Sequence, residues 1–369
     1  MRRKSKAIPD LWLIIIVLSL VSFGLVMVYS SSSVDAAITH KNDFFYVIQQ
    51  GKWAVLALMA MMITTYIPMK WFEFLAKPVY FVGIVLLALL LIPGVGTTIK
   101  GATRWIDLGF TTFMPSEVVK IGMVMMYAKF LSGIKGQLRN LKDIFIGLVI
   151  FLLPAGLILK QPDYSTMLIV IGTAGVMMVV AGLPWLYTGV AAALGGSGLV
   201  YLAFAEEYRR ERVLSFLNPW KDPIGDGYQV IQSLYAIVSG GLTGLGFGQS
   251  RQKFGYLPEA MSDFIFAIIA EELGLMGVTL LIGLYVLFLW RGFRIAMKAK
   301  DMFSSLLATG FTTMICLQSI VNIGVATSSL PPTGITLPFI SAGGTSLAIS
   351  LVAVGLMLNA SKSMHTKSA

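Results

Sequence analysis

The stretch Leu11–Val34 reads LWLIIIVLSLVSFGLVMVYSSSSV and contains no charged residue. A helix needs roughly 20 apolar residues to cross the hydrocarbon core of a bilayer. A signal peptide has a shorter apolar core, of about 7–15 residues. We therefore interpret this stretch as a membrane-spanning helix. It decides the fold class, because further segments of the same kind follow along the chain.

The composition of the whole chain also indicates a membrane protein. Its 369 residues are 56% hydrophobic and only 12% charged, whereas soluble domains have about 25% charged residues. An ordinary soluble enzyme is excluded, and so is a disordered chain, which needs low hydrophobicity. The single cysteine, Cys316, excludes a disulfide framework, and two histidines make a His-rich metal site improbable.

Ten charge-poor segments are predicted to span the membrane, so we expect an all-α polytopic membrane protein with a single integral domain over residues 1–369. Gly182–Pro184 divides the charge-free run Tyr164–Ala205 into two spans, and Thr327–Thr345 divides the run Met302–Ser361. The remaining predicted spans are Leu11–Val34, Trp53–Met69, Pro78–Ile99, Pro115–Leu131, Ile144–Leu159 and Leu273–Trp290, the last beginning near Asp263.

Two loops between these spans are long or irregular. Residues 206–262 form the loop between spans seven and eight, and residues 327–345 form a loop rich in Pro and Gly between spans nine and ten. Within the first loop, Gly227–Ser250 is also free of charge, but it is rich in glycine. Irregular backbone at membrane depth is tolerated only when it is buried in protein or lines a cavity. We interpret this segment as an interfacial or re-entrant piece.

Basic residues predict the orientation of the chain. Sixteen of the 28 Lys and Arg residues lie at the two termini and in the loops after spans two, four and eight. Short cytoplasmic loops carry an excess of Lys and Arg, and an even number of spans puts both termini on one side. The termini are therefore predicted to be cytoplasmic, and the 206–262 loop extracytoplasmic.

Asp263 is the first candidate for chemistry. It ends the outer loop and opens an apolar helix, so its carboxylate is expected at the membrane boundary. An aspartate at this position can act as the helix N-cap or as a functional group with an altered environment. The residues alone leave both interpretations open.

Other residues are expected on the same side as Asp263. Arg104 and Trp105 precede Glu117 and Lys120, whose i, i+3 spacing on a helix allows an ion pair. This pair either anchors span four or lines an outer cavity. Trp105 is either a residue of the interfacial aromatic belt or a platform for a sugar ring. Asp163 follows a proline, which is typical of a turn.

The long outer loop carries basic residues with two possible roles. They contact solvent and lipid headgroups, or they bind a pyrophosphate, for which arginine is well suited. Glu259 lies near the end of the same loop, while Gln318 and Asn322 inside span nine are typical of hydrogen bonds between helices. The chain has no Walker-type loop and no soluble basic domain, so neither ATP-driven work nor a nucleic-acid partner is expected. The basic loop residues are Arg209, Arg212, Arg251 and Lys253.

Several stretches together carry a resemblance to a known family. They are Gly101–Asp107 with Pro115–Glu117, Gln161–Asp163, Leu217–Pro223, Gly227–Ala236, Gly246–Phe254, Leu257–Glu259, Asp263–Gly274, and Gly334–Phe339 with Gly343 and Gly344. Over essentially its whole length the chain resembles the SEDS family, bacterial proteins of shape, elongation, division and sporulation. Residues 248–254, GQSRQKF, resemble the FtsW and SpoVE branch more than the RodA branch. Met261, Ser262 and Thr345 depart from the family pattern, but none of them replaces a carboxylate.

The resemblance implies a peptidoglycan glycosyltransferase of the bacterial cytoplasmic membrane. Its substrate would be lipid II, a disaccharide-pentapeptide on undecaprenyl pyrophosphate. Its partners would be a class B penicillin-binding protein, which is a transpeptidase, and other divisome or sporulation membrane proteins. The family's catalytic aspartate corresponds to Asp263. Trp105, Glu117, Lys120 and Asp163 correspond to positions that are important for function in the family.

With this family in view, we expect an inverting hexosyl transfer in which Asp263 is the general base. The leaving pyrophosphate would need positive charge from the loop residues or from a divalent cation, Mg²⁺ or Mn²⁺. A lipid II flippase stays an alternative, since buried charges and broken helices also describe transporters. A scaffold that recruits a transpeptidase without catalysis is a second alternative. Most acidic residues are expected on the outer side rather than at the membrane midplane, which argues against the flippase.

Overall fold

The computed structural model describes residues 8–99, 102–107, 109, 112–134, 140–184, 189, 193, 195–198, 210, 216–225 and 227–365. Within these residues the protein is mostly helical. The helices are α1 (Leu11–His40), α2 (Phe45–Tyr66), α3 (Met69–Leu89), α4 (Pro115–Gly133), α5 (Leu141–Leu159), α6 (Tyr164–Val180), α7 (Tyr228–Gly240), α8 (Ile265–Lys298), α9 (Met302–Ala326) and α10 (Gly344–Ser361), with 3₁₀ turns at Pro219–Lys221 and Lys362–His365.

Seven of the described helices are long and apolar enough to cross a membrane: α1, α2, α3, α5, α8, α9, and α10 with the turn after it. The apolar helix α6 is shorter, with 17 residues. α4 has 19 residues but carries three charged ones, Glu117, Lys120 and Lys129. The chain is thus a multi-pass membrane protein. Each predicted span overlaps a described helix except the seventh, which falls largely outside the described residues.

The sequence places spans two and three too far along the chain. α2 begins well before Trp53, and α3 begins well before Pro78. The predicted bounds followed the absence of charge, yet Lys52, Lys70 and Lys77 lie inside these helices with exposed side chains. Long basic side chains near a helix end can extend to the membrane surface, so they do not end a span.

A small antiparallel sheet is missing from the all-α prediction. It consists of β1 (Thr97–Ile99), β2 (Ala102–Asp107) and β3 (Thr112–Phe113), paired in that order. The end of the predicted third span therefore lies in β1 rather than in a helix. β-branched and aromatic residues favour strands, and Trp105 of β2 pairs with Thr97 of β1. The sheet leads directly into α4 and sets the position of Trp105.

The centre of the bundle is formed by α9 and α10. In their apolar segments 78% and 72% of residues are buried, compared with 22% in α2 and in α8. α9 packs against α4, α6, α8 and α10. Polar groups in such a helix need hydrogen-bond partners inside the protein. Gln318 and Asn322 of α9 are both buried and find partners on neighbouring elements.

The segment Gly227–Ser250 does not contain a membrane-spanning helix. Its helix α7 has 13 residues, fewer than the roughly 20 that a span requires. The residues after α7 pair with the backbone of α8, where Gly274 takes φ +61° and interrupts the helix. There the N–H of Leu245 donates to the carbonyl of Glu271 at 2.9 Å. This short helix agrees with the non-spanning interpretation of the segment.

Candidate active site

A cavity of about 1090 Å³ lies where the N-terminal ends of six helices meet. It is lined by early residues of α2, α4, α6, α7 and α10 and by the residues just before α8. α9 contributes Gln318 from its interior. Six of the predicted site residues line the cavity: Arg104, Trp105, Glu117, Lys120, Glu259 and Asp263.

The six helix ends give the cavity a positive character beyond its charged side chains. A helix N-terminus carries roughly half a positive charge, and its unpaired N–H groups bind phosphate readily. α10 starts in the cavity wall with Gly344, Thr345 and Ser346, and its N-cap residue, Gly343, provides no side-chain cap. The helix ends therefore offset a lining whose carboxylates outnumber its basic side chains by three to two.

Asp263 is half-buried in the cavity wall. The N-cap residue of α8 is the next residue along the chain, so Asp263 is not the N-cap. Nδ2 of Asn322 donates to the backbone carbonyl of Asp263 at 2.8 Å and to that of Ile335 at 2.7 Å. A Cβ atom on Gly334 would lie 3.6 Å from Oδ2 of Asp263 and 3.6 Å from Nη1 of Arg104. Because both atoms lie 3.6 Å from the same point, Oδ2 of Asp263 and Nη1 of Arg104 are no more than twice 3.6 Å apart.

Glu117 and Lys120 form a buried ion pair that extends into a longer polar chain. Nζ of Lys120 lies 2.9 Å from Oε1 of Glu117 and donates to Oε1 of Gln318 at 2.8 Å. Nε2 of Gln318 donates to the carbonyl of Thr336 at 3.0 Å, and the hydroxyls of Thr336 and Ser346 lie 2.9 Å apart. Hydrogen bonds therefore connect α4, through α9, with the first turn of α10.

The described residues do not fully satisfy this chain of polar groups. Oε2 of Glu117 is buried and has no hydrogen-bond partner among the described residues. An unsatisfied buried polar group costs about 1–3 kcal/mol. An ammonium has three N–H donors, and Glu117 and Gln318 occupy two of those on Lys120. A molecule that carries both hydroxyl donors and anionic acceptors would complement the two side chains.

Arg104 holds the start of α6 at the edge of the cavity. Its Nε donates to the carbonyl of Gln161 at 3.2 Å, and its Nη2 donates to the carbonyl of Pro162. Its Nη1 lies 4.0 Å from Oδ1 of Asp163. Asp163 caps α6, since Oδ1 accepts from the N–H of Thr166 at 3.2 Å. Asp163 does not line the cavity but supports Arg104, which does.

The basic residues of the long loop are placed elsewhere. Nζ of Lys253 forms an ion pair with Oε1 of Glu272 at 3.2 Å and donates to the carbonyl of Gly248 at 2.6 Å. Lys253 thus supports its own loop, and neither it nor Arg251 is part of the cavity lining within the described chain. Among the described residues, the positive side chains in the cavity lining are Arg104 and Lys120 instead. The predicted Arg209 and Arg212 lie outside the described residues.

The part of the site formed by α2 is not predicted from the sequence. Tyr46, Gln49, Gln50 and Trp53 of α2 line the cavity, but the predicted span two begins only at Trp53. The available signal is their i, i+3, i+4, i+7 spacing, which puts four aromatic or amide side chains on one face of a helix.

These features define a class of protein: a multi-pass membrane protein whose helices converge on one polar cavity with acidic and basic side chains. The chain belongs to the FtsW/RodA/SpoVE family of cell cycle proteins, whose family model matches residues 11–366. It is 44% identical to stage V sporulation protein E of Bacillus subtilis, over 97% of this chain and 98% of that protein. It is 40% identical to "Probable peptidoglycan glycosyltransferase FtsW" of Trichlorobacter lovleyi, over 95% of this chain and 93% of that protein.

Solved structures show the same fold. The chain is similar to one from "Structural coordination of polymerization and crosslinking by a peptidoglycan synthase complex", with a TM-score of 0.80 at 33% identity over 97% of this chain and 99% of that chain. It is also similar to the rod shape determining protein RodA of Thermus thermophilus, with a TM-score of 0.73 at 30% identity over 97% of this chain and 98% of that one. The resemblance to the SEDS family is therefore confirmed.

Proposed function

We propose that this protein is a peptidoglycan glycosyltransferase that polymerises lipid II at the outer face of the bacterial cytoplasmic membrane. One observation carries the proposal: Arg104, Glu117, Lys120 and Asp263 line a single cavity at the N-terminal ends of six helices. Such a cavity suits a ligand that combines sugar hydroxyls with a pyrophosphate. Relatives named as peptidoglycan glycosyltransferases, at 40% identity, support this class of reaction.

The direction of the helices supports an extracytoplasmic cavity. The N-terminal ends of α2, α4, α6, α8 and α10 all reach the cavity, so these helices cross the membrane in one direction. Basic residues lie near their other ends, including Lys70 in the first turn of α3 and Arg294 and Lys298 in the last turns of α8. An excess of Lys and Arg is typical of the cytoplasmic side. In this arrangement the chain is one integral domain with both termini in the cytoplasm, and loops 206–262 and 327–345 lie outside.

In the proposed reaction Asp263 is the general base. Its carboxylate takes the proton from the 4-hydroxyl of the acceptor's N-acetylglucosamine, and that oxygen attacks the anomeric carbon of the donor's N-acetylmuramic acid with inversion. The bond between this carbon and the pyrophosphate oxygen breaks, and undecaprenyl pyrophosphate leaves with the bonding electrons. General-base assistance typically contributes about 10²–10⁴ in rate.

Positive groups around the cavity stabilise the leaving pyrophosphate. In the proposed reaction the third N–H of Lys120 and the guanidinium of Arg104, next to Asp263, offer positive charge to the pyrophosphate. The helix N-termini add oriented N–H groups that need no rearrangement as charge develops. Glu117 keeps Lys120 in place through Oε1. Trp105 lines the same cavity and is assigned to a sugar ring.

A divalent cation would be shared between protein and substrate. Among the described residues, no three His, Cys, Asp or Glu side chains form a group that could hold a metal. Mg²⁺ is often bound by one or two carboxylates together with substrate phosphates, and Glu259 and Asp263 both line the cavity. A Mg²⁺ or Mn²⁺ ion bound with the pyrophosphate would take one of these carboxylates as its ligand and would supply positive charge to the leaving group.

We also propose that the protein works with a class B penicillin-binding protein as its transpeptidase, alongside other divisome or sporulation membrane proteins. A chain 33% identical to this one belongs to a peptidoglycan synthase complex that coordinates polymerization and crosslinking.

Polymerisation of purified lipid II tests the proposal. The protein and its partner are supplied with lipid II in detergent, and glycan chains are separated on a gel. Asp263→Asn preserves the size of the side chain and removes the base, so we expect at least about 10² less polymer. Asp107→Asn is the matched control, because Asp107 is exposed and outside the cavity lining, and it should polymerise like the wild type.

The outcomes separate the three functional hypotheses. Equal polymer from the wild type and from Asp263→Asn would contradict the base assignment. No polymer from the wild type, with transport of lipid II across vesicles, would indicate a flippase. Neither polymer nor transport would indicate a scaffold.

A further inference from the structure

Helix α2 has two chemically different faces near its start. Successive residues of a helix are rotated by about 100°, so Tyr46, Gln49, Gln50 and Trp53 fall within one narrow sector. All four line the cavity. The opposite face carries exposed aliphatic side chains, Ile48, Val55 and Met59.

This arrangement differs from an interfacial aromatic belt. Belt residues place Trp and Tyr against lipid headgroups, whereas Tyr46 and Trp53 lie in the cavity wall and the exposed side chains opposite them near the start of α2 are aliphatic. The aromatic rings and amides instead line the cavity that Lys120 and Asp263 also line. Flat aromatic rings offer apolar contact area, and amides offer both donors and acceptors. This combination suits a polyhydroxylated ring that has apolar C–H faces and polar edges.

Two of the four residues are held in place by the protein. Nε2 of Gln50 donates to the carbonyl of Ser341 at 3.2 Å, and its Oε1 accepts from the N–H of Gly343 at 3.1 Å. The indole of Trp53 lies directly over Gly344, since a Cβ atom there would be 2.3 Å from Nε1. Gln50 is therefore an anchor between α2 and the loop before α10, and Trp53 presents a ring of defined position.

The other two residues also line the cavity, and the Tyr46 hydroxyl hydrogen-bonds the side chain of Asp35. Gln49 is an exposed residue of the lining, and Tyr46 is half-buried in the same wall. The phenol ring of Tyr46 contacts His40 edge-on, with ring centroids 5.5 Å apart. A phenol, an amide and an indole thus line one wall of the cavity.

This wall adjoins the segment that carries Asp263. Ser341 accepts the hydrogen bond from Gln50 with its carbonyl oxygen and donates its own hydroxyl to the carbonyl of Ser262 at 2.5 Å. One residue therefore connects α2 with the neighbour of Asp263. A sugar against α2 would lie next to the proposed base.

We propose that Tyr46, Gln49 and Trp53 form a saccharide subsite. The two rings pack against a sugar ring, and the Gln49 amide hydrogen-bonds its hydroxyl or N-acetyl group. The inference rests on the function proposed above, because it takes the ligand to be a lipid-linked saccharide. A contact made equally in the ground state and the transition state affects KM rather than kcat.

Kinetics and binding on single variants test the subsite. KM and kcat are measured for lipid II polymerisation, and the Kd for fluorescent lipid II is measured in the Asp263→Asn background, where no turnover interferes. We expect Gln49→Leu and Tyr46→Leu each to raise KM and Kd about three- to tenfold, with kcat within about twofold. Trp53→Phe keeps a ring against Gly344 and should give a smaller rise.

Lys52→Gln is the matched control, because Lys52 is an exposed residue of α2 outside the cavity lining. It should leave KM and Kd unchanged. Wild-type KM and Kd in both Gln49→Leu and Tyr46→Leu would overturn the subsite, as would a fall in kcat without a change in Kd. A wild type that neither polymerises nor binds lipid II would instead contradict the function on which the subsite rests.

Discussion

The positive charge of Lys120 is predicted to be essential for the stability of the fold, because the carboxylate of Glu117 is buried beside it. Lys120→Met retains an unbranched side chain but removes the ammonium. It leaves the Glu117 carboxylate, 6% exposed, without its cation and leaves Oε1 of Gln318 without its donor. Loss of one partner from a buried ion pair costs about 3–5 kcal/mol. We expect the free energy of unfolding to fall by that amount.

A second substitution separates the charges from the shape of the site. Glu117→Gln in the Lys120→Met background leaves no uncompensated charge, so stability should partly return. The coupling free energy of the pair should reach about 2–3 kcal/mol in the double-mutant cycle. Polymerisation should stay low in the double variant, because no ammonium remains to stabilise the leaving pyrophosphate.

The assay is equilibrium unfolding in mixed micelles of SDS and a mild detergent, followed by circular dichroism. Wild type, both single variants and the double variant are compared, and polymerisation is measured on the same preparations. Lys129→Met is the control, since Lys129 lies on the same helix and its hydrogen bond to the Glu73 carbonyl is exposed. It should change stability by less than about 1 kcal/mol. A double variant no more stable than Lys120→Met would refute the reasoning.

Two further predictions concern packing away from the proposed chemistry. Arg291→Met breaks the ion pair in which Nη2 of Arg291 lies 2.5 Å from Oδ2 of the buried Asp10. The free energy of unfolding should therefore fall by about 3–5 kcal/mol, while polymerisation per folded molecule should stay unchanged. A loss of activity larger than the unfolded fraction would contradict this prediction. Gly240→Ala would place a Cβ atom 1.9 Å from the carbonyl oxygen of Ala270, and the resulting overpacking should cost about 1–3 kcal/mol in the same titration. Gly283→Ala, with nothing within 4 Å of its Cβ position, is its control, and an equal loss there would contradict the packing explanation.

Much of the membrane architecture follows from local sequence. A backbone in lipid must satisfy its own hydrogen bonds, and an unpaired charge is costly there. Long charge-free runs such as Leu11–Val34 therefore indicate membrane-spanning helices directly. The pair Glu117 and Lys120 is also a local feature, because helical geometry alone brings i and i+3 together. Family resemblance singled out Asp263 among residues whose pattern also allowed a helix cap.

Local rules failed where solvent and lipid meet. The starts of α2 and α3 contain exposed lysines, so the absence of charge marked their bounds incorrectly. The cavity-lining face of α2 is not predicted for the same reason, because the first two turns of this helix precede the charge-free run that begins at Trp53. The strands β1 and β3, with three and two residues, are too short to show a period, and the six residues of β2 do not alternate between apolar and polar side chains.

Tertiary structure alone decided which distant groups meet. Lys120 contacts Gln318, 198 residues away, whereas Lys253 is neutralised by Glu272 and does not reach the cavity. A basic residue in a loop has the same sequence signature whether it faces a substrate or a buried carboxylate. The difference arises from how the helices pack, and that depends on contacts spread over the whole chain rather than on any short segment.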